Sequence, residues 1–282
     1  MSNPLLFIDF IVSLDNRVYQ NTKDMTLDFV PKNVTAGRML VHTEVAEKEY
    51  RETALKFIEA IFQEFAKDSM RFFQPDIHLE DPPYLYTERS FDSVILPALH
   101  RLCRGLVLAE LPVKRSDHET SGRIDYWCIY EGYSFIIEMK STECCLGYGP
   151  KKYRMIGRWG LMCKQLESSE NDARKYIEYT KGVIPIGLHF VTAKGSAAKW
   201  DYRGQRMTEL CKETMQEYAD AVSKPHTVDG QVRVHKPSFV GGWIVPQNNR
   251  YPIKGEIHPF VMLLGKINPR IQHEGAPERR KK

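Results

Sequence analysis

Two carboxylates and a lysine lie on either side of a turn signal in the middle of the chain. Asp125 ends the run Gly-Arg-Ile-Asp, and the run Glu138-Met-Lys140 follows after twelve intervening residues. Two strand-like runs flank Glu131-Gly132, which predicts a hairpin with a two-residue turn, because glycine tolerates the positive φ that such a turn needs. In this register Asp125 lies directly opposite Glu138, and Lys140 projects from the same face.

The other face of the predicted hairpin is apolar, which supports the register. Counting back from Tyr130 opposite Tyr133, the pairs are Cys128 with Phe135, Tyr126 with Ile137, and Ile124 with Met139. Strands with one face on a core show this alternation, and a slip of one residue would turn the apolar side chains outward.

The opposed carboxylates predict a cation between them. Directly opposed Cβ atoms are about 5 Å apart, so Asp125 and Glu138 repel each other unless a positive group compensates. A hard divalent ion with oxygen ligands, Mg²⁺ or Mn²⁺, fits this position. Lys140 would position or help to deprotonate a water, or stabilise charge that develops on a phosphate. A metal, two carboxylates and a lysine are the equipment for hydrolysing a phosphodiester.

A surface salt bridge is the alternative for these charges. Surface strands often carry Asp, Glu and Lys, and an exposed Glu–Lys pair contributes about 0–1 kcal/mol. However, Glu138 directly follows the apolar run Phe135-Ile136-Ile137. A carboxylate inside such a strand is costly unless it is paired or liganded, which favours a functional role.

The run Gly122-Arg123-Ile124-Asp125 with the later Glu138-Met139-Lys140 resembles the signature of the PD-(D/E)xK nuclease superfamily. The predicted order of helix, three strands, helix and strand, from roughly Tyr84 to Lys194, resembles its α/β restriction-endonuclease-like core. The resemblance implies that Asp125 and Glu138 bind Mg²⁺ or Mn²⁺, that Lys140 is catalytic, and that the substrate is DNA or, less often, RNA. Ile124 replaces the literal proline of the motif, a variation that is common in the superfamily.

The resemblance adds two further candidate site residues on helices. Glu88 lies on the inward stripe of the helix before the strands. It either caps that helix, which is favourable with the helix dipole, or, as the resemblance implies, joins the catalytic metal site. Gln165, on the helix after the lysine strand, is an accessory candidate by resemblance to the RecB-like branch. Tyr176 lies eleven residues further on, not at the four-residue spacing of that branch, so a polar surface position is the alternative for Gln165.

A glycine-rich basic segment, Leu146 to Gly160, follows Lys140 and is expected to be a loop. Its basic residues could neutralise phosphates and its aromatic residues could stack on bases, although a surface loop with aromatic anchors is the alternative. The candidate nucleic-acid-binding residues are Tyr148, Lys151, Lys152, Tyr153, Arg154 and Arg158.

Hydrophobic periodicity predicts the elements around this centre. The helices are Thr43 to Lys67, one from about Thr87 to Gly105, one from Leu161 to Tyr179, and Met207 to Val222. The strands are Leu5 to Leu14, Leu106 to Val113, Arg123 to Tyr130, Tyr133 to Lys140, Val183 to Thr192, Gln231 to His235, Phe239 to Val245 and Phe260 to Leu264. We therefore expect an N-terminal elaboration over residues 1–83 and a nuclease core over 84–195. A C-terminal elaboration of the same domain follows over 196–267, and residues 268–282 form a disordered basic tail.

Composition sets wider limits. The chain has 282 residues, with 40 Lys and Arg against 36 Asp and Glu, for a formal net charge of +4. This composition is typical of a globular protein, and the mild positive charge permits a polyanionic partner without requiring one. The six cysteines have no Cys-x-x-Cys spacing, and no stretch approaches the ~20 apolar residues of a membrane span. We expect a soluble cytoplasmic protein that binds nucleic acid, DNA rather than RNA, with no membrane partner. A homodimer or a place in a larger complex is compatible with the sequence.

Two other interpretations stay open at this stage. The chain could be a catalytically inactive protein of the same fold that binds nucleic acid or acts as an assembly subunit. It could also be an unrelated α/β protein in which the motif is fortuitous. Metal-dependent cleavage separates the first alternative from a nuclease, and the distance between Asp125 and Glu138 bears on the second, because metal–oxygen bonds of ~2–2.6 Å cannot bridge a wide gap.

Overall fold

A computed structural model describes residues 27–34, 36–73, 82–86, 88–114, 121–146, 152–169, 180–196, 205–228, 231–246 and 255–272. The strand predicted at Leu5 to Leu14 and the helix N-cap predicted at Thr87 lie outside these residues.

The centre of the fold is a mixed sheet of nine strands. Its strands are β1 (Val30–Val34), β2 (Gly37–Thr43), β3 (Val107–Lys114), β4 (Ser121–Tyr130), β5 (Tyr133–Cys145), β6 (Val183–Ser196), β9 (Phe239–Ile244), β10 (Glu256–Ile257) and β11 (Phe260–Ile267). Eight of them lie in the order β1-β2-β9-β11-β6-β5-β4-β3, and β10 pairs with β6. A separate short hairpin joins β7 (His226–Val228) to β8 (Gln231–Arg233).

Within this sheet β5 and β6 run parallel and every other pairing is antiparallel. A parallel pair needs a long crossover, and the chain between β5 and β6 contains a helix. The described α-helices are α1 (Glu49–Ser69), α2 (Asp92–Leu102), α3 (Lys152–Ser168) and α4 (Gln205–Ser223), and a short 3₁₀ helix (Glu88–Phe91) leads into α2.

Helices cover both faces of the sheet, which gives three layers. Residues of α1 and α2 share one core cluster with Val261 and Leu263 of β11. Residues of α3 and α4 share a second cluster with the alternate residues Met262 and Leu264. Because successive side chains of a strand point to opposite faces, α1 and α2 lie on one side of the sheet and α3 and α4 on the other.

The sequence predicted most of these elements, with corrections at their ends. The first helix begins at Glu49 rather than Thr43, because Thr43 is the last residue of β2 and pairs with Phe239. The helix after β5 begins at Lys152 rather than Leu161 and is described as far as Ser168, so the second half of the expected glycine-rich loop is helical. The buried stripe of this helix, with Met155, Trp159, Met162, Cys163 and Leu166, explains the earlier start, because these residues recur at helical spacing against the core. The last part of the predicted helix, residues 170–179, lies outside the described residues.

The C-terminal segment also departs from the prediction. The first residues of the expected disordered tail are ordered, since Asn268 donates a backbone hydrogen bond to Pro185 and Ile271 forms a bridge with Val183. The remainder of the tail, from residue 273, lies outside the described residues.

Candidate active site

The β4–β5 hairpin has the predicted turn. Tyr130 pairs with Tyr133, and the ladder continues as far as Tyr126 opposite Ile137. Glu131 and Gly132 form the turn and have φ values of 48° and 81°. Both central residues of a type I′ turn have positive φ, which is why glycine is favoured here.

The ladder ends one pair before the position that the sequence assigned to Asp125 and Glu138. The predicted pair of Ile124 with Met139 is wrong, because the two residues are not partners in the ladder. Ile124 packs with Ile136, on the opposite face of the sheet from Met139. The neighbouring β3–β4 ladder is interrupted at the same level, where Glu110 of β3 has a φ of 56° opposite Asp125. A non-glycine residue with positive φ is uncommon and marks a local distortion of the strand.

Beyond this point the edge of β5 that faced β4 has no partner strand among the described residues, and two carboxylates take the place of a strand. The backbone N–H of Met139 would donate to β4 if the ladder continued, but it donates to Oδ2 of Asp125 at 2.6 Å. The backbone N–H of Ser141, two residues further along the same edge, donates to Oε2 of Glu88 at 3.2 Å. The 3₁₀ helix before α2 therefore positions Glu88 toward β5, and its carboxylate faces the strand.

Lys140 joins the two carboxylates. Its Nζ atom lies 3.2 Å from Oε1 of Glu88 and 3.8 Å from Oδ2 of Asp125, and it donates to the Met139 carbonyl at 2.6 Å. The lysine side chain is only 7% exposed. Three groups that the sequence named, on β4, β5 and the 3₁₀ helix, thus converge at the open edge of β5.

Burial and four neighbouring groups shift the pKa of Asp125. Loss of water raises the pKa of this carboxyl above its ordinary value, and the charges of Glu88 and Glu110 add to the increase. Lys140 and the Met139 N–H oppose the shift because they stabilise the carboxylate. A further positive charge at this point would favour the ionised form.

Glu138 lies beside this centre in the sequence but belongs to a different register position. It pairs with Gly187 of β6 and is 1% exposed. A Cβ atom at Gly187 would meet Met162 and Leu166 of α3, so this pair of positions lies on the α3 side of the sheet. The ladder between β4 and β5 therefore does not contain the predicted pair of Asp125 opposite Glu138.

The donor set suits a hard divalent cation only in part. The carboxylates of Asp125 and Glu88 approach the same ammonium group, and carboxylate oxygens are the ligands that Mg²⁺ and Mn²⁺ prefer. Among the described residues, however, no three His, Cys, Asp or Glu side chains form a group that could hold a metal. The structure thus brings together Asp125 and Glu88, and does not assemble a complete three-carboxylate site with Glu138.

A cleft lined by three arginines adjoins the carboxylates. It has a volume of about 620 Å³ and shares Glu88 and Ser141 with the site around Lys140. Arg154 and Arg158, two of the predicted nucleic-acid-binding residues, line it, and they lie on α3 rather than in a loop. Lys152 and Tyr153 belong to the first turn of the same helix. The other two predicted nucleic-acid-binding residues, Tyr148 and Lys151, lie outside the described residues.

Sequence reasoning missed most of the residues that line this cleft, and two of them stand out. Arg89 and Tyr86 line it from the chain before α2, next to Glu88 in sequence. An arginine adjacent to a candidate site glutamate was the available signal, but single basic residues are common on surfaces and carry little information by themselves.

Two further polar residues have buried side-chain atoms. Gln165 is half-buried, and its amide oxygen is buried and accepts no hydrogen bond from any group in the described part of the chain. His189 pairs with Lys140 in the β5–β6 register, and its ring lies 3.0 Å from the Thr142 hydroxyl. Burial, together with the charges of Lys140 and Arg158, lowers the pKa of His189 to about 3, so this ring is neutral.

Comparison of the chain with protein-family models, with curated proteins and with solved structures gave no significant match. No helix in the described ranges is long and apolar enough to cross a membrane. All six cysteines have free thiols, and all but Cys145 are buried.

Proposed function

We propose that this protein is a metal-dependent nuclease with a restriction-endonuclease-like core, which hydrolyses phosphodiester bonds of nucleic acid, DNA in preference to RNA. The observation that carries the proposal is the convergence of Asp125, Glu88 and Lys140 at the open edge of β5, beside a cleft lined by arginines. Acidic ligands, a buried ammonium group and a basic approach surface are the combination that phosphodiester hydrolysis needs.

The order of elements supports the core assignment. The segment from α2 to β6 contains a helix, an antiparallel meander of three strands, a helix, and a strand parallel to β5. The same order of elements is predicted from the sequence and resembles the core of the PD-(D/E)xK superfamily. The residues of the motif lie where β4 separates from β5, which is where a strand edge offers polar backbone groups to a site.

In this proposal Asp125 would be a metal ligand, Glu88, which approaches the same ammonium group, would supply a second carboxylate, and Glu138, the other ligand that the sequence predicts, would have to reach the metal from its register position opposite Gly187. A bound Mg²⁺ or Mn²⁺ would polarise a phosphoryl oxygen and make water a stronger nucleophile near neutral pH. Lys140, held between Glu88 and Asp125, would orient the attacking water or stabilise charge on the phosphate. The Met139 N–H keeps Asp125 at the strand edge, so the carboxylate is oriented before substrate binds.

A cleavage panel tests the proposal. Labelled single-stranded and double-stranded DNA and RNA are incubated with the full chain in Mg²⁺, in Mn²⁺ and in EDTA. We expect metal-dependent cleavage that Asp125→Asn, Glu138→Gln or Lys140→Met lowers by at least about a hundredfold, the usual size of a lost catalytic group. Glu131→Gln is the matched control, because it lies on the same hairpin at the opposite end from the site. Parent-like cleavage by Glu138→Gln or Lys140→Met would contradict the assignment.

One observation favours a second function, that of a catalytically inactive nucleic-acid-binding or assembly subunit. The described residues contain no group of three potential metal-ligating side chains, whereas the arginine cleft is fully formed. Binding of nucleic acid without cleavage in any metal would select this second function.

A further inference from the structure

We propose that the 620 Å³ cleft beside Lys140 binds an unpaired nucleotide, so that the substrate of this protein is single-stranded nucleic acid. The inference rests on the proposed function for its role in catalysis, but the binding itself stands on the cleft. The volume falls within the ~300–1,000 Å³ of pockets that enclose one small ligand.

Three arginines give the cleft its affinity for an anion. Arg154 and Arg158 lie four residues apart on α3, and Arg89 faces them from the 3₁₀ helix before α2. In the described part of the chain, none of the three guanidinium groups forms an ion pair with a carboxylate. Like charges at this helical spacing are unfavourable on their own, and a phosphate that accepts from both arginines would remove the repulsion.

The same cleft holds groups that suit a base rather than a phosphate. Tyr86 lines the cleft and is 57% exposed, so its ring offers a surface on which a base can stack. Glu143 also lines the cleft, and its carboxylate would repel a phosphate but can accept a hydrogen bond from the amino group of a base. A ligand with both an anionic and an aromatic part, a nucleotide, satisfies both sets of groups.

The arrangement favours a single strand over a duplex. In a duplex the bases are stacked and paired, so a tyrosine ring cannot stack on one of them and a carboxylate cannot reach its pairing edge unless the base is flipped out at a cost of a few kcal/mol. An unpaired strand exposes both features freely. Because Glu88 and Ser141 belong both to the cleft and to the site around Lys140, a nucleotide held in the cleft would place an adjoining phosphate near that lysine.

Binding without metal tests the inference. Fluorescence anisotropy of the full chain in EDTA is measured with labelled oligothymidine and oligouridine strands of about twelve nucleotides, within the range of single-strand site sizes, and with a duplex of the same length. We expect at least one single strand to bind about tenfold or more tightly than the duplex. Tyr86→Leu should weaken that binding roughly 5- to 150-fold, the usual loss for one stacked base, whereas Tyr86→Phe should retain it.

The salt dependence supplies a second readout. Each phosphate contact contributes about −0.7 to the slope of log K against log salt for a single strand, so Arg158→Gln should make the slope shallower by about that amount. Circular dichroism confirms that each variant is folded. Equal or tighter binding of the duplex, or equal affinities of Tyr86→Leu, Tyr86→Phe and the parent, would overturn the inference.

The failure of this inference can be told apart from that of the nuclease proposal. The binding assay contains no metal and needs no cleavage, so single-strand binding that depends on Tyr86 stands even if no metal supports hydrolysis. Conversely, cleavage that depends on Asp125 and Lys140, without any effect of Tyr86→Leu on single-strand binding, would leave the nuclease proposal in place and remove the cleft assignment.

Discussion

Gly187 of β6 offers a direct test of how α3 is placed over the motif strand. It is the register partner of Glu138, and a Cβ atom built on it would lie 2.6 Å from Cε of Met162 and 2.9 Å from Cδ1 of Leu166. Distances below 3.0 Å are closer than real Cβ contacts, so Gly187→Ala forces these side chains of α3 to move. Overpacking of this kind costs about 1–3 kcal/mol.

The lower half of that range applies here, because the clashing atoms are the ends of flexible side chains. We therefore expect Gly187→Ala to lower the free energy of unfolding by about 1–2 kcal/mol, which moves a urea midpoint by about 0.5 M for a slope near 3 kcal/mol/M. Gly157→Ala is the matched control. Gly157 lies in α3 with open space around it, and alanine there should stabilise the protein by up to about 1 kcal/mol through helix propensity.

Urea unfolding followed by circular dichroism measures both variants. A Gly187→Ala protein as stable as the parent would refute the close packing of α3 on β6 beside Glu138. The double variant Gly187→Ala with Met162→Ala separates a steric effect from a backbone effect. If the clash with Met162 is the cause, the two changes together should cost less than the sum of their separate costs.

Two further predictions concern charge at the site. Asp125→Asn should abolish cleavage but raise the melting temperature at pH 8 in EDTA. Burial raises the pKa of Asp125, so the neutral amide avoids the cost of a buried charge. A lower melting temperature in a thermal shift assay would contradict this prediction. Stability should fall as pH decreases from about 6.5 toward 3, because unfolded His189 takes up a proton that the folded ring, with its pKa of about 3, does not. Between pH 6.5 and pH 5 the parent should lose about 1.5 kcal/mol more than His189→Gln in urea titrations, and equal losses would show that His189 is not buried as described.

Local pattern was enough to predict the hairpin and most helices. Glu131-Gly132 between two alternating apolar runs predicts a tight turn, and the register from Tyr130–Tyr133 to Tyr126–Ile137 is the one observed. The buried face of α1 was equally predictable, because its apolar residues recur every three or four positions. These features depend on neighbours within a few residues, which is the information that a single sequence carries.

The first two strands of the sheet were not predicted from the sequence. β1 and β2 form a short hairpin that reaches the sheet through β9, more than 190 residues later in the chain. Their β2 residues Met39, Leu40 and Val41 are all buried, because helices cover both faces of the sheet. A continuous apolar run of this kind does not show the alternation that identifies a strand with one solvated face.

The sequence by itself determined which residue types could form a site and that Asp125, Glu138 and Lys140 would lie on adjacent strands. The tertiary structure decided how they meet. The β4–β5 ladder ends one pair before the predicted carboxylate pair, at the level where Glu110 of β3 has a positive φ, and Glu88 enters the site from the 3₁₀ helix before α2. Glu88 lies 52 residues before Lys140 in the chain, so no local spacing could have supplied its place in the site.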